Sequence, residues 1–499
     1  MEYDCIVIGA GAAGLTAALE LSCKGKKILL IEKQATPGGV ATAFKRKGFT
    51  FESSLHCVNA LNPEGEIRKI LEECEVDKKI DFIPLEHFGR VIYPEHDFVV
   101  DFSKERYVDY LKKNFPAEEK AIERLFKRME RFWRSFDKVA YSCLPYWLQF
   151  IIRPFAIRNI IKVSGLTAGD FISRDISDEK LKGIICDIWR FIGLPPDRLS
   201  AFYFLIVFRG YYLNPTSYVK GSYAKMFSAM EERIKEAGSQ VMYNNEVTKI
   251  CTDSSGKVKS VITKGGEEFF ARCVISNANA IDTLTRMIDN QRLTQEYKEE
   301  LSLLEKSISA FQVYLGIDLP SKELGMSHHM LYVNPGYDHR KNYEKDLTDN
   351  YDNRAFGVVD HARIDPALVP EGKGSLIITV FDTYSNWTNL SAEEYEKKKR
   401  ETSLKVVSNV EKYLPGLSKH IEVMEAATPK TIERYGLAPE GAMYGFAQTV
   451  EQSVERRLKQ KTKVKGLFLA GGWTWPGAGV HGCVISGFEA SNLALAYLK

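Results

Sequence analysis

The sequence predicts an α/β fold in which a Rossmann-like nucleotide-binding domain is interleaved with a second, α+β domain. Three observations lead there. Residues 5–32 read as strand, glycine loop, helix, strand and acid. Residues 221–278 read as a return to the same domain, with a helix through Ile234, strands at Val241–Val247 and Val274–Ser276, and a hairpin around Ser254-Ser255-Gly256. Residues 466–497 read as strand, glycine loop and helix once more. At roughly 150 residues per domain, a chain of 499 residues holds two or three domains.

The opening unit carries the most chemistry. Cys5-Ile6-Val7-Ile8 is a short apolar strand, followed by Gly9-Ala10-Gly11-Ala12-Ala13-Gly14, with Leu15, Ala18, Leu19 and Ser22 at helical spacing. Gly25 fits a helix terminator, and Lys27 to Ile31 forms a second strand ending on Glu32. Gly9 makes the tight turn, Gly11 lets the backbone approach a pyrophosphate, and Gly14 lets helix and strand pack closely. The helix N-terminus offers oriented N–H groups and a partial positive charge. Glu32, 18 residues after Gly14, can accept both ribose hydroxyls of an adenosine. An acid here, and not an arginine, argues against a 2′-phosphate.

Between the nucleotide-binding pieces the pattern changes. Phe82 to Phe102 alternates like strands around Pro94, and Glu105 to Phe136 is charged with a helical period. Residues 139–152 lack Asp, Glu, Lys and Arg, and continue into an apolar stretch carrying Arg153, Arg158 and Lys162. Two readings fit 139–162: an interfacial membrane element, or a buried helix with snorkelling basic residues. Leu199 to Phe208 is apolar all round, as expected of a buried helix or the lining of a lipophilic cavity. Phe311 to Asp318 and Leu376 to Phe381 read as strands, and polar Pro335 to Arg354 reads as a mobile loop or lid. The pieces divide at 1–75, 216–285 and 426–499 for the nucleotide-binding domain, and 76–215 and 286–425 for the other.

Composition bounds the function. Sixty-eight basic residues nearly cancel 65 acidic ones, leaving +3, so no global field recruits nucleic acid. Nine cysteines are scattered without a Cys-x-x-Cys pair, which fits free thiols in a reducing, cytoplasmic setting. The start Met1-Glu2-Tyr3-Asp4 is acidic and not basic, with no cleavage-like segment, so no signal peptide is expected, and Asn386-Trp387-Thr388 and Asn389-Leu390-Ser391 are expected to be chance glycosylation matches. His328-His329 has no third ligand spaced for a metal, and no metal is expected.

The 23 residues between Lys465 and Glu489 carry no charge and are long enough to span a bilayer. Seven glycines, Pro476 and His481 argue against a spanning helix. Gly466 to Gly472 reads instead as a strand and glycine turn, and Trp473 to Gly482 as a loop opening a helix from about Val480 to Tyr497.

These motifs together resemble the phytoene desaturase, carotenoid isomerase and retinol saturase group of the FAD-dependent amine oxidase-like superfamily. The resemblance rests on the opening βαβ unit, on Gly38-Gly39 past the ribose acid, and on Thr474, Pro476, Gly477, Gly479 and Gly482 in the closing loop. Phe191-Ile192-Gly193-Leu194-Pro195-Pro196, and Thr428 to Gly445, are similar to further segments of that group. Two departures are visible: Gly221-Ser222 replaces a Gly-Gly pair, and Val40 stands where many members carry arginine. The resemblance implies the amine oxidase type of FAD-binding domain and FAD as cofactor. Its expected contacts are Gly9, Gly11, Ala12, Ala13, Gly14, Glu32 and Lys33, then Gly38, Gly39 and Val40 beside the ring. Val247 and Asn277 follow from the middle piece, and Gly471, Gly472, Gly479 and Val480 from the closing one.

It also implies an oxidoreductase acting on C–C or C=C bonds of a lipophilic isoprenoid or polyene. The closing helix would stabilise negative charge on the reduced ring. His56 is the expected proton donor near the ring, against a packing or hydrogen-bonding role in the strand, with His481 and Tyr444 expected to shape the pocket. Two other readings share the fold. An amine oxidase could use Trp473 and Trp475 as aromatic closure, and a prenyl-lipid escort protein would lack an intact flavin site.

Overall fold

The computed structural model describes residues 2–140 and 157–499. Two large sheets organise them. In the first, five parallel strands run in the order Gln240–Met242, Ile28–Ile31, Glu2–Ile8, Glu268–Ser276 and Leu467–Leu469. Ile6, Val7, Ile28, Leu29 and Leu30 are wholly buried, because a parallel sheet covered on both faces needs continuous apolar strands. The first half of Glu268–Ser276 pairs antiparallel with Val258–Thr263, which forms a hairpin with Val247–Thr252. Chain pieces from the start, middle and end therefore meet in one sheet.

Helix Ala12–Cys23 leaves the first strand and packs against the C-terminal helix Val480–Leu498. A Cβ on Gly487 would lie 2.2 Å from the Ala13 carbonyl oxygen, so glycine is what allows the two backbones to touch. Gly25, with φ of 72°, follows Lys24 at the end of the first helix, as expected of a left-handed terminator.

The second sheet has seven strands in the order Ile421–Ala427, Ser309–Ile317, Gly374–Asp382, Phe356–Val359, Met330–Val333, Gly89–Ile92 and Asp97–Val100. Its pairings are antiparallel except that of Met330–Val333 with Gly89–Ile92. The charged, helix-period region forms Lys104–Asn114 and Glu119–Ala140. The longer helix buries Ile122, Leu125, Met129, Phe132 and Trp133, and the Trp133 indole donates to Leu205 O at 3.0 Å. Leu205 belongs to the apolar helix Ala201–Phe208, which buries Phe202, Phe204 and Phe208.

One expectation is corrected. Pro335–Arg354 is an anchored segment and not a mobile loop: it contains the helix His339–Asp346, with His339, Tyr343 and Asp346 buried. The spacing of those three puts them on one helical face, where Trp189 meets the His339 ring at 5.5 Å and the Tyr343 ring at 6.1 Å. Arg354 is 2% exposed and donates to Asn350 O at 2.9 Å and Phe381 O at 2.7 Å. Polarity misled because His339 and Arg354 find internal partners, His339 Nε2 lying 2.8 Å from Gly183 O and Arg354 reaching Phe381 O.

Among the described residues no helix is long and apolar enough to cross a membrane. The uncharged run is the strand Leu467–Leu469, a loop and the helix Val480–Leu498. Most of the 139–162 segment lies outside the described residues. Residues 157–164 are helical, with Ile157 40% and Ile161 66% exposed.

Candidate active site

The glycine loop is tight for steric reasons. A Cβ on Gly14 would stand 1.9 Å from the Gly9 carbonyl oxygen, and one on Gly11 would stand 2.7 Å from Asn277 Nδ2. Gly9 has φ of 93°, a left-handed value that favours glycine. No acidic side chain occupies the first helical turn, and no side chain caps it from the N-cap position, Gly11. With its amide oxygen turned to the loop, Asn277 accepts from the Gly11 and Gly14 N–H groups at 3.2 Å each. The Ala12 and Ala13 N–H groups remain for an anion, as the first turn of any helix offers.

Glu32 is 6% exposed at the end of the second strand. Its carboxylate accepts from Ala10 N at 2.6 Å and Gln34 N at 2.7 Å, which fixes it beside the glycine loop. A carboxylate has about four acceptor positions, so two bonds leave room for ribose hydroxyls. Half-buried Lys33 follows it. Glu32 also gathers the middle piece: its N–H donates to Met242 O at 2.8 Å, and its carbonyl accepts from Asn245 N at 3.0 Å. Val247, 8% exposed, starts its strand two residues later.

The second glycine pair closes over the first. Gly38 N donates to Ala10 O at 2.8 Å, and a Cβ on Gly39 would stand 3.2 Å from Gly11 Cα. Val40 beyond it is 49% exposed. From the far end of the chain, Ala470 N donates to Ser276 O at 2.8 Å, and a Cβ on Gly471 would meet the other end of the Asn277 side-chain amide at 2.7 Å. Gly472 and Ala478 close the loop on themselves, and Gly479 precedes Val480, which is 7% exposed at the helix start. The expected cofactor residues thus converge from three parts of the chain. A cradle in which added Cβ atoms collide with backbone, an uncapped helix N-terminus and a buried acid together fit FAD.

His56 stands past the strand Phe49–Glu52 against the second sheet. Its Nδ1 is 3.3 Å from the Tyr332 hydroxyl and its Nε2 is 3.0 Å from Thr379 Oγ1. Thr379 pairs in register with Gln312, whose Nε2 donates to Thr379 Oγ1 at 3.2 Å. Tyr314 then donates to Gln312 Oε1 at 3.1 Å and Ser53 O at 2.5 Å. Burial pushes the His56 imidazole down to about 4, so it is neutral at neutral pH. Held between two hydroxyls, it fits the hydrogen-bonding role better than that of a proton donor.

The wall around it is aromatic. Phe191 meets the His56 ring edge-on at 6.3 Å, Phe88 stacks on Tyr332 at 5.7 Å, and Tyr211 lies 4.9 Å from Phe191. Tyr444 packs where a Cβ on Gly193 would be 2.9 Å from its ring, so the turn after Phe191 and the approach to the closing loop meet here. Burial raises Tyr332, Tyr211 and Tyr444 well above the usual phenol range. His481, at the closing helix, lies 3.2 Å from Asn59 Nδ2 and 3.4 Å from Glu66 Oε2. Among the described residues no set of His, Cys, Asp or Glu could hold a metal ion.

Several polar residues escaped sequence reading. Asp187, 3% exposed, accepts from Tyr93 and Tyr212 hydroxyls at 2.8 Å and from Asn334 at 2.7 Å. A lone acid inside Ile184-Ile185-Cys186-Asp187-Ile188-Trp189 was the available signal. Arg457 looked like surface charge in Glu455-Arg456-Arg457, yet it is 2% exposed under the closing loop.

Glu52 accepts from Tyr223 N at 2.8 Å and the Tyr218 hydroxyl at 2.9 Å, while its Oε2 is buried without a partner. Burial raises its carboxyl to about 7. A carboxyl raised in the folded state adds stability below its unfolded value, and that stability is lost as pH rises through about 7. Glu52→Gln is therefore expected to match wild type in Tm at pH 5 and to exceed it at pH 8. The gain is at most about 3 kcal/mol by linkage. Thermal melts at the two pH values check this; an equal Tm difference at both would refute it.

Comparison with known proteins agrees with this geometry. The family of flavin containing amine oxidoreductases matches residues 12–495. Prolycopene isomerase 1, chloroplastic, of an Oncidium hybrid cultivar is 28% identical over an alignment covering 100% of this chain and 84% of that one. The all-trans-retinol 13,14-reductase of Danio rerio is 25% identical, covering 94% of this chain and 82% of its own. Putrescine oxidase with bound putrescine superposes with a TM-score of 0.65 at 15% identity over 99% of both chains, a likeness of fold. This chain is thus an FAD-dependent oxidoreductase of the flavin containing amine oxidoreductase family, in the group of the carotenoid isomerases, desaturases and retinol saturases.

Proposed function

We propose that the protein acts on a C–C or C=C bond of a lipophilic isoprenoid or polyene, as a saturase, desaturase or cis-trans isomerase of carotenoid or retinoid type. The observation that carries this reading is the uncharged wall around His56. Phe88, Phe191 and Tyr211 pack ring against ring there, and both His56 nitrogens are taken by the Tyr332 and Thr379 hydroxyls. Such a wall stacks a hydrocarbon well. The names of the two relatives above support the same substrate class.

FAD, when bound, supplies hydride acceptance and delivery at its ring. The chain's part is to hold and orient. Ala12 and Ala13 N–H groups would take the pyrophosphate, Glu32 the ribose, and Gly38, Gly39 and Val40 would run beside the ring. Gly471, Gly472, Gly479 and Val480 would close the far edge. Asn277 locks the loop to the middle piece, and the apolar helix Ala201–Phe208 helps exclude water. His56 gives the Tyr332 and Thr379 hydroxyls a common buried partner.

His56→Phe is expected to lower kcat about tenfold, since two buried hydroxyls lose a partner at roughly 1–3 kcal/mol. His56→Gln, which retains a donor and an acceptor, should recover most of it. The pH profile of wild-type kcat should show no limb near pH 6.5, the ordinary histidine range. A limb there that disappears in His56→Gln would restore the proton-donor role.

The same reading divides the domains near residues 75, 215, 285 and 425, supported by the first sheet drawing its strands from the start, middle and end of the chain. Peripheral membrane contact through 139–162 is supported by exposed Ile157 and Ile161 beside exposed Arg158 and Lys162. Unpaired thiols at Cys5, Cys57, Cys74, Cys186 and Cys273 support a reducing, cytoplasmic compartment.

The reaction is tested by anaerobic incubation of the reduced holoenzyme with a panel of isoprenoids, followed by extraction and mass analysis. A gain of about two mass units means saturation, and unchanged mass with altered retention means isomerisation. A loss of about two with the oxidised enzyme means desaturation. No change in any lipid of the panel would contradict the proposal.

A further inference from the structure

Five carbonyls of the closing loop are tied down by side chains. Arg457 donates to Thr474 O at 3.0 Å, Phe446 O at 3.1 Å and Gly472 O at 2.7 Å. Gln460 donates to Trp475 O at 2.6 Å, Gln448 to Pro476 O at 3.3 Å, and the Tyr203 hydroxyl to Ala478 O at 3.1 Å. In a trans peptide the N–H points opposite to the C=O. The N–H groups of Trp473, Gly477 and Gly479 are therefore turned away from these anchors, and none meets an acceptor among the described residues.

The anchoring itself needs no charge, because Gln460, Gln448 and Tyr203 do the same work as neutral donors. Arg457 brings a full positive charge into a site where it is 2% exposed, and no carboxylate pairs with it among the described residues. Tyr203 and Cys483, which act on it electrostatically, are both raised to about 12 and so neutral. Burial lowers the guanidinium itself to about 10, still protonated at neutral pH. Three carbonyl dipoles offset part of the cost of burying that charge, and an unpaired buried cation remains expensive. The arrangement makes sense if a negative charge develops opposite it during turnover.

We infer that Arg457 is a positioning residue for the flavin, fixing the closing loop so that its free N–H groups face the ring, and stabilising negative charge on the reduced cofactor through its own unpaired charge. This rests on the FAD assignment. Arg457 raises the reduction potential of the bound flavin and lowers the pH at which its reduced form loses a proton.

The test uses the wild-type holoenzyme and the variants Arg457→Gln and Arg457→Lys, with anaerobic potentiometry and a pH titration of the reduced flavin absorbance. Arg457→Gln is expected to lower the potential by about 30 mV or more, which is tenfold for a two-electron couple. It should raise the reduced-flavin pKa by about one unit, the same tenfold. Arg457→Lys keeps a cation and should show less than half of either shift. Its compact ammonium lacks the planar, spread donors of the guanidinium, so it should hold the three carbonyls less well and release FAD faster. Equal potential and pKa in Arg457→Gln and wild type would overturn the inference, as would a full-size shift in Arg457→Lys. If Arg457→Gln fails to fold, the wild-type titration decides, since a reduced-flavin pKa equal to that of free FAD also overturns it. Wild-type protein that takes up no FAD would instead break the cofactor assignment.

Discussion

Gly14→Ala is expected to yield protein that keeps no FAD and melts well below wild type. The new Cβ would stand 1.9 Å from the Gly9 carbonyl oxygen and 3.1 Å from the Asn277 side chain. Neither neighbour is a flexible tip. Gly9 is pinned by its own N–H, which donates to Ile31 O at 2.8 Å, and Asn277 by its N–H to Ile8 O at 2.8 Å. Relief requires the helix Ala12–Cys23 to lift from the strand before it, which moves the Ala12 and Ala13 N–H groups off the phosphate position. Overpacking of this kind costs about 1–3 kcal/mol or more. The control is Gly165→Ala, where nothing lies within 4 Å of the new atom. Flavin absorbance per protein and Tm read the outcome. A Gly14→Ala protein with the wild-type flavin ratio would refute the loop geometry.

Glu32→Ala is expected to weaken FAD binding by roughly 100-fold or more, from two lost charge-assisted bonds at about 1.5–3 kcal/mol each. The same change strips the acceptor from Ala10 N and Gln34 N, both inside the site. Glu32→Gln keeps the shape and one acceptor oxygen, so it should fall between wild type and alanine. FMN, which lacks the adenosine ribose, discriminates the mechanism. If Glu32 acts through that ribose, FMN affinity should change much less than FAD affinity across the series. Equal losses for both would mean that Glu32 serves only to hold the loop.

Local signals were legible in the sequence where backbone chemistry is local. The glycine positions 9, 11 and 14, the acid at 32 and the helix at 480 are all dictated by neighbours within a few residues, and the structure brings them together. The apolar helix Ala201–Phe208 and the hairpin Val247–Thr252 with Val258–Thr263 were readable for the same reason. What was hidden depends on distant partners. Arg457 is buried only because Phe446, Gly472 and Thr474 turn their carbonyls inward around it. Asp187 is sheltered by Tyr93, Tyr212 and Asn334, each far away in the chain. Pro335–Arg354 reads as solvent-facing loop until His339 and Arg354 are seen with their partners, Trp189 and the Phe381 carbonyl. His56 was visible, but its neutrality comes from burial against a sheet that begins more than 30 residues later. Ser222 is a case of local tolerance: it adopts φ of 103° where the related pattern has glycine, and its hydroxyl accepts from Ala224 N at 3.1 Å.

An FAD enzyme whose uncharged aromatic wall receives a hydrocarbon chain should turn over polyenes and leave amines untouched. The most direct measurement offers one preparation of holoenzyme two panels in parallel, polyenes under anaerobic reducing conditions and primary and secondary amines in air. Converted polyene, seen as a mass gain of about two or as a new isomer at unchanged mass, with no amine-dependent hydrogen peroxide, is the predicted result. Amine-dependent peroxide with every polyene returned unchanged would contradict it.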